Sequence, residues 1–145
     1  MSISFSDKGI VLRLDNVATS YADIQENTVT GKVMTTSYLA CDAPTALLSV
    51  GRTLALTAHV QIAKSGVTSL EVKGQISYDG TNWEDVQMVR GDTGATAAEH
   101  SFTASGYYAL QTTSQGAAKF FRMVGKYTGG ALGAGDKIIV RVEVL

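Results

Sequence analysis

Two histidines, His59 and His100, stand far apart in the chain and are its only imidazoles. A metal site needs further ligands at short spacing, and neither histidine has one, so each reads as a surface or strand-face residue. Acyl transfer by a serine would need a strand–turn–helix elbow beside a histidine, and no such pattern is present. Glu84 and Asp85 are adjacent on an extended segment, which turns their carboxylates to opposite faces and prevents acid–base cooperation. The single cysteine, Cys41, can build neither an intrachain disulfide nor a cysteine zinc site and reads as a small buried hydrophobe. Thr128-Gly-Gly-Ala-Leu-Gly-Ala-Gly-Asp136 is glycine-rich but runs into a strand without the Gly-Lys-Ser/Thr ending of a phosphate loop. It reads as a flexible hairpin tip that orders on contact with a partner. Arg90-Gly-Asp92 matches an integrin-binding tripeptide, but these are three common residues in a turn. No catalytic residue, cofactor or metal ligand is assigned, and the expectation is a protein that is not an enzyme.

The elements around these residues are strands. Leu54, Leu56, Ala58, Val60 and Ile62 alternate with Thr57, His59 and Gln61. Leu70, Val72, Gly74, Ile76 and Tyr78 alternate with Glu71, Lys73, Gln75 and Ser77. Period two is the mark of a strand with one buried face. The two runs are expected to pair as a hairpin through Lys64–Val67. Further strands are expected at Trp83–Val89, Glu99–Thr103, Tyr107–Thr112 and Phe120–Tyr127. A last one, Lys137–Leu145, carries Ile138, Val140, Val142 and Val144 on one side. Short strands separated by turn signals predict an all-β fold, an antiparallel β-sandwich of jelly-roll kind.

Residues 1–45 read differently, as an extended N-terminal arm with one or two peripheral strands, Ile10–Leu14 and Thr28–Tyr38, ahead of a sandwich domain over 46–145; the plainer alternative is an ordinary first hairpin of the same sandwich. Isolated strands need another sheet edge to satisfy their backbone groups. Ile3, Phe5, Ile10, Val11, Leu12 and Leu14 are therefore the candidate partner-binding residues, and removing residues 1–14 is expected to leave the sandwich folded.

The chain has 145 residues, enough for one domain with a sizeable core. Only 17% of them are charged, against about 25% in ordinary soluble domains, and the formal net charge is −1. Thr, Ser and Gly cover the surface instead. Neither nucleic acid nor an anionic membrane is expected as a partner, because no basic field would attract one. The start has no basic run followed by an apolar stretch, and no segment approaches about 20 apolar residues, so folding in a cytoplasm is expected.

The sharpest local motif is Ser77-Tyr-Asp-Gly-Thr-Asn-Trp83, a turn in which Asp79 and Asn82 can bond the backbone locally. It differs from the Asp-box of sialidase-like propellers in being one residue shorter between Asp79 and Gly80, and it occurs once, so a propeller is rejected. It resembles the Ser-x-Asp-Gly-x-x-Trp turn of β-sandwich proteins of tailed-phage particles and of discoidin-like carbohydrate-binding domains. Phe120-Phe-Arg-Met-Val124, ahead of a terminal strand, extends that resemblance. In the plainer interpretation Trp83, Phe120 and Phe121 are core residues.

The chain is thus similar to the capsid decoration, or cement, proteins of tailed bacteriophages. That resemblance implies a homotrimer on the virion surface, synthesised in the host cytoplasm, which binds the major capsid protein and stabilises the shell. Two rival expectations are another virion component (tail-tube, tail-terminator or fibre-associated) and a carbohydrate-binding module that stacks sugar on Trp83, Tyr107 or Tyr108.

Overall fold

A computed structural model describes residues 10–18, 20–22, 28–40, 48–49, 56–113 and 120–144. Fourteen strands lie among them: β1 (Leu12–Asp15), β2 (Ser20–Ala22), β3 (Thr28–Thr30), β4 (Lys32–Val33), β5 (Leu48–Ser49), β6 (Leu56–Ala63), β7 (Val67–Ser77), β8 (Glu84–Asp85), β9 (Met88–Arg90), β10 (Thr96–Ala97), β11 (Glu99–Phe102), β12 (Gly106–Thr112), β13 (Phe120–Gly130) and β14 (Lys137–Val144). No helix occurs among the described residues.

The strands form two main sheets. The larger has seven strands in the order β10-β9-β12-β6-β14-β1-β4; in the smaller, β11-β7-β13-β5 are neighbours and β8 also pairs with β7. A separate two-stranded sheet joins β2 to β3. All pairings are antiparallel except β1 with β4.

The alternation places the core as expected. Leu56, Ala58, Val60 and Ile62 of β6, with Ile138, Val140 and Val142 of β14, are at most 3% exposed. They belong to one cluster with Leu70 and Val72 of β7 and Phe121 and Met123 of β13, so both sheets contribute to a single hydrophobic core. Apolar burial of about 25 cal/mol per Å² is the main force holding the sheets together. His100 does not sit on the surface: it is 4% exposed, and its Nε2 lies 2.8 Å from the Met88 carbonyl. A carbonyl only accepts, so Nε2 carries the proton, and this bond ties β11 of one sheet to β9 of the other.

The expected hairpin of β6 and β7 is not formed. β6 pairs with β12 and β14, whereas β7 pairs with β11, β13 and β8. Lys64–Gly66 is a corner that carries the chain between sheets, and residues 131–136 carry it back from β13 to β14. The expected strand Trp83–Val89 divides in the same way, β8 lying in the smaller sheet and β9 in the larger.

One carboxylate joins the two corners. Asp136 is fully buried and accepts from the backbone N–H groups of Ser65 (2.6 Å), Gly66 (3.1 Å) and Gly133 (2.9 Å). Burial raises its pKa, but these donors, with the Val67 N–H, outweigh burial and hold the carboxyl below its ordinary range. Gly130, at φ +71°, makes the approach possible, since a Cβ there would lie 2.3 Å from the Gly66 carbonyl oxygen. The glycine-rich segment expected to be a loose tip is an anchored corner.

The N-terminal part is also corrected. From Ile10 onward it is no free arm: β1 lies between β14 and β4, and Leu12 and Leu14 are completely buried. Removing residues 1–14 would delete most of an internal strand. The expected boundary at residues 45 and 46 lies outside the described residues.

Candidate binding face

The ionisable clusters that the motifs suggested prove to be structural. In the Ser77–Trp83 turn, Asp79 Oδ1 accepts from the N–H groups of Thr81 and Asn82, both at 2.8 Å, and from the Ser77 hydroxyl at 2.9 Å. Its Oδ2 accepts from Asn82 Nδ2 at 2.7 Å. The Asn82 and Thr81 amides hold Asp79 well below the usual carboxylate range, so the motif is consumed by its own turn. In Arg90-Gly-Asp92 the guanidinium bonds Asp92 through Nε (2.6 Å) and Nη2 (3.1 Å) and the Ser101 carbonyl through Nη1 (3.0 Å). It also lies over Phe102 and Tyr108, 4.5 and 4.8 Å from their ring centroids. An arginine so engaged is not presented for capture by another protein.

The outer face of the smaller sheet is closed by a similar network. Glu71, 4% exposed, accepts from the hydroxyls of Ser101 and Thr128. Burial alone would raise its pKa; the Ser69, Thr128 and Ser101 hydroxyls and Lys126 nevertheless lower it. Tyr38 reaches across the strands, its hydroxyl bonded to Glu99 and its ring under Lys73 (4.3 Å) and Lys126 (5.0 Å). Burial, then the Glu99 bond, raises the Tyr38 pKa far above its ordinary value. Asp85 accepts from Lys73 and Gln75, and Gln75 in turn accepts from Arg122 Nε at 3.0 Å.

Arg122 also covers Trp83, 4.2 Å from its ring. Trp83 is thus neither core, as expected in the plainer interpretation, nor an open platform. Phe121 is fully buried, while Phe120 is only partly so.

The outer face of the larger sheet is finished differently. Strand register puts Ala109, His59 and Arg141 in one row across β12, β6 and β14, and Tyr107, Gln61 and Ile139 in the next. Tyr107 is 82% exposed. Its neighbour Tyr108 points to the other side, packs on Phe102 with centroids 4.5 Å apart, and donates its hydroxyl to the Ala104 carbonyl. Of the three aromatics considered for stacking, Tyr107 alone has an open ring. Period two carries that signal, since consecutive tyrosines on a strand must face opposite ways.

Among the expected partner-binding residues, Ile10, Val11, Leu12 and Leu14 are at most 5% exposed within this one chain. Ile10 meets Ile139 in a small separate cluster, and Val11, Leu12 and Leu14 join the main core. Ile3, Phe5 and Cys41 lie outside the described residues. Among the described residues, no group of three or more His, Cys, Asp or Glu is placed to hold a metal ion.

An all-β chain with two sheets on a shared core is the class these observations define. No family model matches the chain, and no curated protein matches it. Among solved structures it is similar to SPBc2 prophage-derived protein YomS at 19% identity and a TM-score of 0.47, over 77% of this chain and 84% of that one. A likeness that slight transfers no role.

Proposed function

We propose that this chain is a structural virion protein of a tailed phage, a β-sandwich that binds the outer surface of the capsid as a homotrimer and stabilises the shell through contacts with the major capsid protein. The observation that carries this reading is the use of charge. The clusters around Asp79, Arg90, Glu71 and Asp136 are spent on turns, corners and one sheet surface, which supports a reading in which the molecule works through surface contact. The resemblance of Ser77–Trp83 and Phe120–Val124 to phage sandwich proteins supports the same reading.

The mechanism is additive. Each contact buries modest area, and repetition over a whole shell multiplies it, so weak individual sites give a large combined resistance to expansion or rupture. Sedimentation of the purified protein, alone and mixed with capsids of the phage that encodes it, tests the reading. A trimer that co-sediments with capsids is expected. A monomer left in the supernatant would overturn the proposal, and a ring of six that ignores capsids would replace it with a tail component.

A further inference from the structure

On the outer face of the larger sheet, His59, Gln61, Tyr107, Ala109 and Arg141 line a shallow cavity of about 250 Å³. Its floor follows from the register. Ala109 stands directly across from His59, and His59 across from Arg141, while bulky Tyr107 lies two residues along β12 on the same side. A small residue between larger ones leaves a hollow on an otherwise even sheet. Neighbouring strands are about 4.8 Å apart, so Ala109 to Arg141 spans roughly 10 Å. The volume falls below the roughly 300–1,000 Å³ of pockets that enclose drug-sized ligands and suits a single ring lying on the sheet.

The lining is equally specific. The opposite outer surface uses its polar groups internally, but here no side-chain hydrogen bond or ion pair engages Tyr107, Gln61, His59 or Arg141 among the described residues. Arg141 offers a planar fork that fits a carboxylate in bidentate fashion, and no carboxylate lines the cavity. Gln61 and His59 can both donate and accept, the capacity that hydroxyl groups require. The exposed Tyr107 ring supplies one apolar surface, whereas Gln61 is polar and so is the adjoining row of Gln111, Thr57 and Glu143, the last a carboxylate outside the cavity lining. A protein hot spot is instead ringed by contacts that exclude water.

We propose that this cavity binds a carboxylate-bearing sugar unit, with the pyranose ring stacked on Tyr107, the carboxylate held by Arg141, and hydroxyls bonded by Gln61 and His59. The site is separate from the capsid reading and stands or falls independently of it. Uronic and sialic acids share the required chemistry, and the test separates them.

The ¹⁵N-labelled full chain is titrated with a glucuronate oligosaccharide, a sialyl oligosaccharide and a neutral oligosaccharide of equal length, following backbone amide shifts. Shifts confined to β6, β12 and β14 around Ala109 are expected, with at least one acidic sugar bound about tenfold more tightly than the neutral one. Tyr107→Ala should abolish binding of all three. Arg141→Gln should remove the acidic preference while leaving neutral binding in place, with Trp83→Ala as an unaffected control; the dispersion of each free spectrum verifies folding. The inference is overturned if neither acidic sugar shifts these amides at millimolar concentration, if the shifts centre on Trp83, or if Arg141→Gln keeps the preference. Shifts at the same amides from a poly-glutamate peptide, with the sugars inert, would overturn it in favour of a protein contact.

Discussion

Asp136 is the residue on which the two sheet-to-sheet corners depend, and removing its charge tests that reasoning. Asp136→Ala leaves the N–H groups of Ser65, Gly66 and Gly133 without their acceptor. Charge-assisted bonds contribute about 1.5–3 kcal/mol each, which sets a ceiling of several kcal/mol. Ser65 and Gly66 are exposed and can be rehydrated, so the expected loss is about 2–4 kcal/mol. Asp136→Asn keeps the shape and one good acceptor but turns an NH₂ toward backbone donors, and should lose about 1.5–3 kcal/mol. Urea unfolding at neutral pH measures both. The sign of the pH dependence follows from the lowered carboxyl. Its contribution is fully present above the unfolded-state value near 3.8 and is lost as pH falls through the still lower folded value. Asp136→Asn should therefore show a shallower acid limb below pH 4 than the natural chain. Variants within about 0.5 kcal/mol of the natural protein, with an unchanged acid limb, would refute the corner-joining role.

Three further outcomes are expected. Gly74→Ala places a Cβ 2.8 Å from the Phe121 ring and 3.1 Å from the Met88 sulfur, so thermal unfolding should show an overpacked core less stable by about 1–3 kcal/mol. Arg90→Ala loses the Asp92 pair and the cover over Phe102 and Tyr108; a loss of about 1–2 kcal/mol in chemical denaturation is expected, with Asp92→Asn in the natural background reproducing only part of that loss. Glu71→Gln keeps the bulk but replaces one acceptor oxygen by a donor, so it should destabilise by about 1–2 kcal/mol at pH 7. Because the Glu71 pKa is lowered, that difference should shrink as pH falls below about 4 in parallel denaturation curves.

Much of the strand pattern was legible because alternation reports burial directly: Leu56 to Ile62 and Ile138 to Val142 face inward as written. Alternation says nothing about which strand lies beside which. Lys64–Gly66 has the composition of a hairpin turn, yet it is a corner, a distinction decided by strands distant in sequence. The same limit hid Asp136, whose donors Ser65 and Gly66 lie about 70 residues away. Leu12 and Leu14 looked available because the polar stretch after them suggested an arm, but pairing with β14 at the far end of the chain buries them. Tyr107 was singled out together with Tyr108 and Trp83; only contacts with Phe102, Ala104 and Arg122 separate the three.

The place of β14 bears on how the protein comes into being. It is the interior partner of both β6 and β1, so the larger sheet joins the beginning and end of the described chain through one strand. While a ribosome still holds residues 137–144, β6 and β1 have no common neighbour and leave unpaired edges open to other chains. Completion of the sheet waits on β14, a high-contact-order arrangement that folds slowly and rewards a low concentration of nascent chains. Removing β14 would thus leave a chain prone to aggregate, where trimming a peripheral loop would not.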